Sequence, residues 1–274
     1  MFLKERQKKL EAFYTRSLEL SSFYFESLQG IRPKNDDRVA VFENDTAYLS
    51  ILCDGIGGQP HGDTAAQTII SRFKTEFESI GTLNSAIAIE YFIKNTFDKV
   101  HNDFYNLIKE DPSKFTMGST CVGYYFSKLL NSLVIFNIGD SRCYLLIKKS
   151  KKTELKLMTR DHNLLNKLTE ENKDSSTFSD SYLRLLVNAI SYNNKKHFDV
   201  DLFVLDPKSL NIIEWIVLTS DGIHEFVSTS KIENILTSTN CPEEATKKIV
   251  SEAQKNKSSD NMSIVLQRLR GTNE

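Results

Sequence analysis

Three apolar runs in this chain end in the same way, and this repetition constrains the fold more than any other feature of the sequence. Each run has the length of a buried strand and stops at an aspartate beside a glycine. The runs are residues 48–53 before Asp54, residues 134–139 before Asp140 and residues 215–220 before Asp221. A carboxylate at a strand end is held in place and still reaches solvent, while glycine lets the backbone approach a bound group closely. The repetition predicts one acidic site assembled from distant parts of the chain.

The composition excludes several classes of protein. The 274 residues include 35 basic and 36 acidic side chains, and the net charge of -1 gives no field that would favour nucleic acid or an anionic membrane. The sequence contains no apolar run of roughly 18 residues that would predict a membrane span, and its N-terminus lacks the apolar core of a signal peptide. We therefore expect a cytoplasmic protein without nucleic-acid or membrane partners, with a monomer as the default.

The cysteines support the same compartment. The chain has four of them, Cys53, Cys121, Cys143 and Cys241, and no two form a C-x-x-C pair. The first three lie within apolar, strand-like runs, where a free cysteine behaves as a small hydrophobic residue. We expect them to be reduced core residues of a cytosolic protein.

The hydrophobic periodicity predicts strands in groups, with helices between the groups. The predicted helices are residues 3–20, 64–80, 83–108, 182–187, 221–227, 231–236 and 242–254, and the predicted strands are residues 21–29, 39–42, 47–53, 119–126, 133–138, 143–147, 155–158, 200–205, 212–219 and 262–269. This grouping differs from strict β-α-β alternation and favours an antiparallel α+β layered domain.

The domain organisation follows from the same pattern. We expect residues 1–20 to form a helix that either packs on the main domain or binds a partner, and residues 21–270 to form the main domain. Within it, residues 161–180 are polar and punctuated by Ser and Asn, and they belong to a longer stretch, residues 161–190. We expect this stretch, here called the excursion, to leave the body of the domain as a flap-like segment.

The aspartates near strand ends predict a metal site. Asp54, Asp221 and Asp260 lie in loops flanked by glycine or serine, and Asp36, Asp37 and Asp140 have the same character. Several carboxylates in one dry place repel each other unless protons or a cation neutralise them. Hard oxygen ligands suit Mg²⁺ or Mn²⁺ rather than zinc, and the five histidines share no ligand spacing. Two such ions would make a hydroxide nucleophile and clamp a phosphoryl group.

Each of these motifs also has a simpler explanation. An Asp-Gly pair at a strand end is most often just a turn, Asp36-Asp37 is compatible with a solvated turn, and Arg142 with a surface ion pair. Arg32, which lies beside the acidic turn, has the forked guanidinium that suits a phosphate. The joint occurrence of these residues favours the chemical interpretation.

Taken together, these residues resemble the metal-dependent serine/threonine protein phosphatases, the PPM or type 2C family, in its compact bacterial form. The motifs that carry the resemblance, in chain order, are Arg32-x-x-x-Asp36-Asp37, Asp54-Gly55-Ile56-Gly57-Gly58 with Gly62-Asp63, Met117-Gly118-Ser119-Thr120, Gly139-Asp140-Ser141-Arg142, Thr159-Arg160-Asp161-His162, Ser220-Asp221-Gly222 and Asp260-Asn261. The resemblance covers about residues 21–270.

The resemblance implies a four-layer α-β-β-α sandwich of two antiparallel sheets and two or three Mn²⁺ or Mg²⁺ ions. By resemblance, Asp54 bridges two ions, the Gly55 carbonyl binds one, and Asp221 and Asp260 complete the shell of the other. Arg32 binds the substrate phosphate, Asp36 and Asp37 hold metal-bound waters, and Asp140, with Glu225 or Asp221, serves a third ion. The expected activity is hydrolysis of phosphoserine and phosphothreonine in protein substrates by a metal-activated water or hydroxide.

Some residues depart from the family pattern. The first acidic turn is usually Glu-Asp and is Asp36-Asp37 here, and the position that carries a histidine in animal members is Ile56. The general acid is therefore unassigned, with a metal-bound water or His61 as alternatives. A second hypothesis, a phosphatase-fold scaffold that binds phosphoproteins with weak or no catalysis, and a third, a regulator of one dedicated partner, remain open at this point.

Overall fold

Strands provide the framework of the computed structural model, which describes residues 20–56, 61–149, 152–192 and 198–269. The predicted N-terminal helix lies outside these ranges, except that residue 20 belongs to the first strand. The strands of the described part are β1 (Leu20–Leu28), β2 (Arg38–Glu43), β3 (Ala47–Cys53), β4 (Gly118–Ser119), β5 (Cys121–Ser127), β6 (Ser132–Ile138), β7 (Arg142–Lys149), β8 (Lys152–Leu157), β9 (Ile190–Ser191), β10 (Asp201–Leu205), β11 (Ile213–Thr219) and β12 (Met262–Leu269).

The strands form two five-stranded sheets in which neighbouring strands are antiparallel. One sheet has the order β1-β12-β11-β7-β8, and the other has the order β10-β6-β5-β3-β2. A small ladder joins β4 to β9, beside an isolated bridge between Gly55 and Ser119. Strands β1 and β12 of the first sheet pair the two ends of the described chain, since Leu20 lies opposite Leu269.

Helices cover the outer faces of both sheets. The helices of the described residues are α1 (Gly62–Ser79), α2 (Ala86–Glu110), α3 (Leu164–Glu170), α4 (Asp180–Leu183), α5 (Pro207–Leu210), α6 (Asp221–His224), α7 (Thr229–Ser238) and α8 (Pro242–Lys255), together with a 3-10 turn at Pro112–Thr116. The longest, α2, is capped at its N-terminus by Ser85, whose side chain accepts a hydrogen bond from the Ala88 N–H. Its buried residues recur every three or four positions, as an amphipathic helix requires.

Three hydrophobic cores separate the four layers. Between the sheets, Leu52, Tyr124 and Leu218 belong to one buried cluster. Helices α1 and α2 pack on the sheet that contains β3, where Phe73 stacks on Phe136 at 5.5 Å between ring centroids. Helices α7 and α8 pack on the other sheet around a third cluster that includes Trp215. The predicted α-β-β-α sandwich is therefore confirmed.

The prediction of a helix at residues 182–187 is wrong. Helix α4 ends at Leu183, and beyond the turn at Arg184 the chain is extended, with Leu186 bridged to Asn163. The apolar residues of this stretch follow one another without a polar face, so helix periodicity does not determine its conformation. Among the described residues, no helix is both long enough and apolar enough to span a bilayer.

Candidate metal centre

The hairpin of β2 and β3 brings the first acidic turn against Asp54. Arg38 lies opposite Cys53 in the ladder, and the Gly55 N–H donates to the Asp36 carbonyl at 3.3 Å. A Cβ atom at Gly55 would lie 2.5 Å from the Gly62 carbonyl group, so only glycine fits here. The acidic turn and the Asp54 loop are therefore neighbours across this hairpin.

Backbone and hydroxyl groups from two other motifs fix the strand end that carries Asp54. The Asp54 carbonyl accepts hydrogen bonds from the Thr120 N–H at 2.8 Å and the Ser119 hydroxyl at 2.9 Å. The Asp54 N–H donates to Thr120 Oγ1, which lies 2.7 Å from Ser141 Oγ. These contacts connect Asp54 to the turn that holds Asp140.

Strands β11 and β12 bring Asp221 and Asp260 to the same edge. The Ser220 N–H donates to the Ser263 carbonyl, and the Ser263 N–H donates to Ser220 Oγ, each at 3.0 Å. The backbone at Gly222 passes so close to the next loop that a Cβ atom would lie 1.9 Å from the Asn261 carbonyl oxygen. The glycine after Asp221 is therefore required for this close approach.

Asn261 joins this edge to the first acidic turn. Its amide nitrogen donates to the carbonyl groups of Gln29 at 2.8 Å and Lys34 at 2.9 Å, and its Oδ1 accepts from the Asp36 N–H at 2.9 Å. One buried side chain thus holds the loop before β2 against the loop before β12.

In the structure the predicted acids lie close enough to interact electrostatically. We call Asp36, Asp37, Asp54, Asp140, Asp221 and Asp260 the aspartate cluster. Burial raises the pKa of Asp54 well above its usual value, and the charges of Asp37, Asp221, Asp140 and Asp260 raise it further. Burial and the charge of Asp260 raise the pKa of Asp221 to about 8. The cluster therefore lacks the positive charge that would neutralise its carboxylates.

The pKa values of Asp37 and Asp140, which lie at the margins of the cluster, are raised as well. Burial raises the pKa of Asp37 to about 6, with a smaller contribution from the charge of Asp260. Burial also raises the pKa of Asp140 to about 6, and the nearby charges of Asp161 and Glu225 act in the same direction. In both residues desolvation is the largest cause of the raised pKa.

Two carboxylate oxygens of the cluster lack a partner within the described part of the chain. Asp37 Oδ2 and Asp221 Oδ1 are buried and accept no hydrogen bond there. An unsatisfied buried acceptor is costly, and a hard cation would satisfy it. Across the same ranges, however, no three His, Cys, Asp or Glu side chains are already grouped tightly enough to hold an ion. The chemistry of the donor set nevertheless fits a divalent cation.

Two cations lie at the margin of the cluster. The Arg32 guanidinium forms an ion pair with Asp260 Oδ2 and donates from Nε to the Ser259 carbonyl at 3.1 Å. Lys34 Nζ lies 2.8 Å from Asp36 Oδ1 and 3.3 Å from Asp63 Oδ1. Lys34 was not predicted from sequence as a site residue, although its place between Arg32 and Asp36 was a signal for such a contact.

The other residues considered from sequence have defined surroundings. Arg142 makes two hydrogen bonds to the Asp161 carboxylate, at 2.9 and 2.7 Å, with Asp161 mostly buried, so it is more than a surface ion pair. Glu225 forms an ion pair with Arg184 of the excursion. The His61 ring nitrogen Nε2 lies 3.2 Å from Ser113 Oγ, and its role as general acid stays a prediction.

A two-sheet sandwich with carboxylates converging at one edge defines a class of metal-dependent hydrolase. Residues 23–171 match the family model of protein phosphatase 2C. This match spans more than half of the chain, and the chain therefore belongs to the protein phosphatase 2C family. The predicted enzyme class, a protein-serine/threonine phosphatase, is confirmed.

Known proteins of this kind are similar over most of the chain. The serine/threonine phosphatase stp of Listeria welshimeri is 28% identical over 239 residues, which is 86% of this chain and 90% of that protein. The crystal structure of Stp1 from Staphylococcus aureus superposes with a TM-score of 0.79 at 27% identity, covering 91% of this chain and 95% of that one. The catalytic domain of the phosphatase PstP, solved in complex with two manganese ions, shares the fold with a TM-score of 0.68 at 20% identity, covering 90% and 97%.

Proposed function

We propose that this chain hydrolyses phosphoserine and phosphothreonine in protein substrates at a centre of two Mn²⁺ or Mg²⁺ ions. Asp54 would contact both ions, with the Gly55 carbonyl on one and Asp221 and Asp260 on the other. The observation that carries the proposal is the aspartate cluster itself, with the raised pKa values of Asp54 and Asp221 and the unpartnered oxygens of Asp37 and Asp221. The two manganese ions of the PstP structure support the same number.

The chemistry divides between the ions and the chain. Bound divalent ions would supply a nucleophilic solvent oxygen near neutral pH and neutralise charge on the phosphoryl oxygens. Asp36 and Asp37 would orient water at the centre, with Lys34 and the Asp63 N–H fixing Asp36 Oδ1 at 2.8 and 3.1 Å. No covalent phosphoenzyme is needed, and none of the buried cysteines is expected to act as a nucleophile.

Arg32 would bind the substrate phosphate. Its guanidinium now pairs with Asp260, a proposed metal ligand, and its side chain is 40% exposed. When a cation neutralises Asp260, the guanidinium loses its partner and can turn to a phosphate, for which its planar fork is well suited. Arg32 would thus exchange one anion for another without leaving the edge of the cluster.

Asp140 would serve a third, weaker ion. The charge of Glu225 raises the pKa of both Asp140 and Asp221, so the three carboxylates face a common region. The ion pair between Glu225 and Arg184 ties this region to the excursion, which we propose to be the flap beside the cleft.

The remaining assignments are also proposals. The four free cysteines support a reducing, cytoplasmic location. The balanced charge supports a protein without nucleic-acid or membrane partners, and a monomer is the simplest state. The alternative, a non-catalytic scaffold, gains no support, because every acid proposed as a ligand is present.

The proposed function is tested by Mn²⁺-dependent release of phosphate from a phosphothreonine peptide. We expect turnover with Mn²⁺, loss in EDTA, and a loss of at least about a hundredfold in Asp54→Asn. Asp45→Asn, at an exposed site in the hairpin between β2 and β3, is the matched control and should retain activity. Activity of Asp54→Asn equal to that of Asp45→Asn would contradict the proposal.

A further inference from the structure

An open cleft of about 470 Å³ lies against the aspartate cluster. Its lining includes Asp140 and Ile56, the residue directly after Gly55, together with residues 184–189 of the excursion. The cleft therefore borders the aspartate cluster at Asp140, beside the place where the phosphate ester would be cleaved. A substrate that puts its phosphate among the aspartates also brings its flanking residues to this cleft.

The excursion contributes two exposed apolar side chains to the lining. The relative exposure of Leu185 is 52% and that of Val187 is 43%, whereas Leu186 between them is half-buried. Alternate residues of an extended segment point to the same side, so Leu185 and Val187 form one face. Ile56 adds a third apolar side chain, whose tip packs closely on Gly118. Neighbouring exposed apolar side chains in a cleft are typical of a binding surface.

The backbone that presents this face is held in place. The Leu164 N–H donates to the Leu185 carbonyl, and the Val187 N–H donates to the His162 carbonyl, each at 2.9 Å. The Asn188 side chain donates to the Asp199 carbonyl at 2.8 Å. The two apolar side chains are therefore exposed on an ordered segment, which lowers the entropy cost of binding.

We propose that this cleft is a subsite for an apolar side chain within two residues of the phosphorylated residue, with Leu185 and Val187 as specificity-determining residues. The inference rests on the proposed function. An extended peptide advances about 3.3 Å per residue, so the neighbours of a phosphothreonine come within reach of the cleft. Arg184 at the rim of the cleft is already paired with Glu225. Its charge therefore does not favour an acidic substrate residue over an apolar one.

The test compares phosphothreonine peptides that differ at one position, leucine or serine, scanned over two residues on each side. With Mn²⁺ present, leucine at one position should raise kcat/KM about tenfold, mainly through a lower KM, because the subsite binds ground state and transition state alike. In the double variant Leu185→Ser with Val187→Ser, this preference should fall to about twofold or less. Leu129→Ser, at a site that is 58% exposed in the turn between β5 and β6, should keep it. Hydrolysis of free phosphothreonine should be equal in all three proteins, which also verifies folding.

Two results would overturn the inference while leaving the proposed function intact. One is peptide hydrolysis with no leucine preference at any scanned position, and the other is an undiminished preference in the double variant. A wild-type protein that hydrolyses no phosphopeptide would instead overturn the proposed function, and this inference with it.

Discussion

Replacing Asp221 by asparagine is expected to stabilise the metal-free protein while removing its activity. Burial and the neighbouring aspartates raise the pKa of Asp221 from 3.8 to about 8. In the metal-free native state this carboxyl group therefore keeps its proton at neutral pH, whereas the unfolded chain releases it near its ordinary pKa. The native state then binds more protons than the unfolded state. The stability from this group is complete below the ordinary pKa and is lost as the pH rises towards the folded value.

The magnitude follows from the size of the shift. From the ordinary pKa to neutral pH there are about three pKa units, each worth about 1.4 kcal/mol, so the upper limit is roughly 4 kcal/mol. Asp221 keeps some contact with solvent, which reduces the energy below this limit. We expect Asp221→Asn to raise the free energy of unfolding at neutral pH by about 2 kcal/mol, and by less than about 1 kcal/mol near pH 5.

Urea denaturation in EDTA measures this change. The fluorescence of Trp215, the single tryptophan and a buried residue of β11, reports unfolding. Asp45→Asn should shift the free energy of unfolding by no more than about 0.5 kcal/mol. Saturating Mn²⁺ should reverse the order, because wild type gains about 2.7 kcal/mol at a hundredfold excess over Kd. An Asp221→Asn protein that is no more stable than wild type in EDTA would refute the reasoning.

Three further predictions concern the backbone, the thiols and the phosphate contact. Gly222→Ala should lower the free energy of unfolding by at least about 2 kcal/mol, because the added Cβ meets the Asn261 carbonyl. Gly81→Ala, whose added Cβ has no atom within 4 Å, should change it by less than about 0.5 kcal/mol. Equal effects of the two variants in chemical denaturation would contradict this prediction. Ellman's reagent should titrate one thiol, the exposed Cys241, in the native protein and all four after unfolding, because the other three are buried. A second thiol that reacts rapidly in the native protein would contradict this. Arg32→Ala should lower kcat/KM for a phosphopeptide about a hundredfold, with Arg32→Lys recovering only part, while the Mn²⁺ affinity measured by calorimetry does not weaken. Weakened Mn²⁺ binding would contradict this and show that Arg32 positions Asp260 for the metal.

The sequence predicted most elements because their patterns are local. Strands β3 and β12 were predicted with the bounds that the structure has, 47–53 and 262–269. The order of the strands was not accessible in this way, because pairs such as β1 with β12 join residues more than two hundred positions apart. Only the family resemblance supplied the sandwich. The two-residue strands β4 and β9 are too short to leave any periodic signal.

The acids of the site were predictable for a different reason. Asp54, Asp140 and Asp221 each follow an apolar strand beside a glycine, so their chemistry could be read before their positions were known. Contacts made through the fold left no such signal. The pairing of Arg32 with Asp260 and the extended path of Leu185 depend on residues that are remote in sequence.

Manganese anomalous density in a crystal of the Mn²⁺-loaded protein would test the central claim most directly. We predict two peaks on either side of the Asp54 carboxylate, one within about 2.2 Å of Asp221 and Asp260 oxygens and the other at the Gly55 carbonyl, with Arg32 released from Asp260. A third peak at Asp140 would set the count at three. Density that avoids Asp54, with Arg32 still on Asp260, would contradict the account.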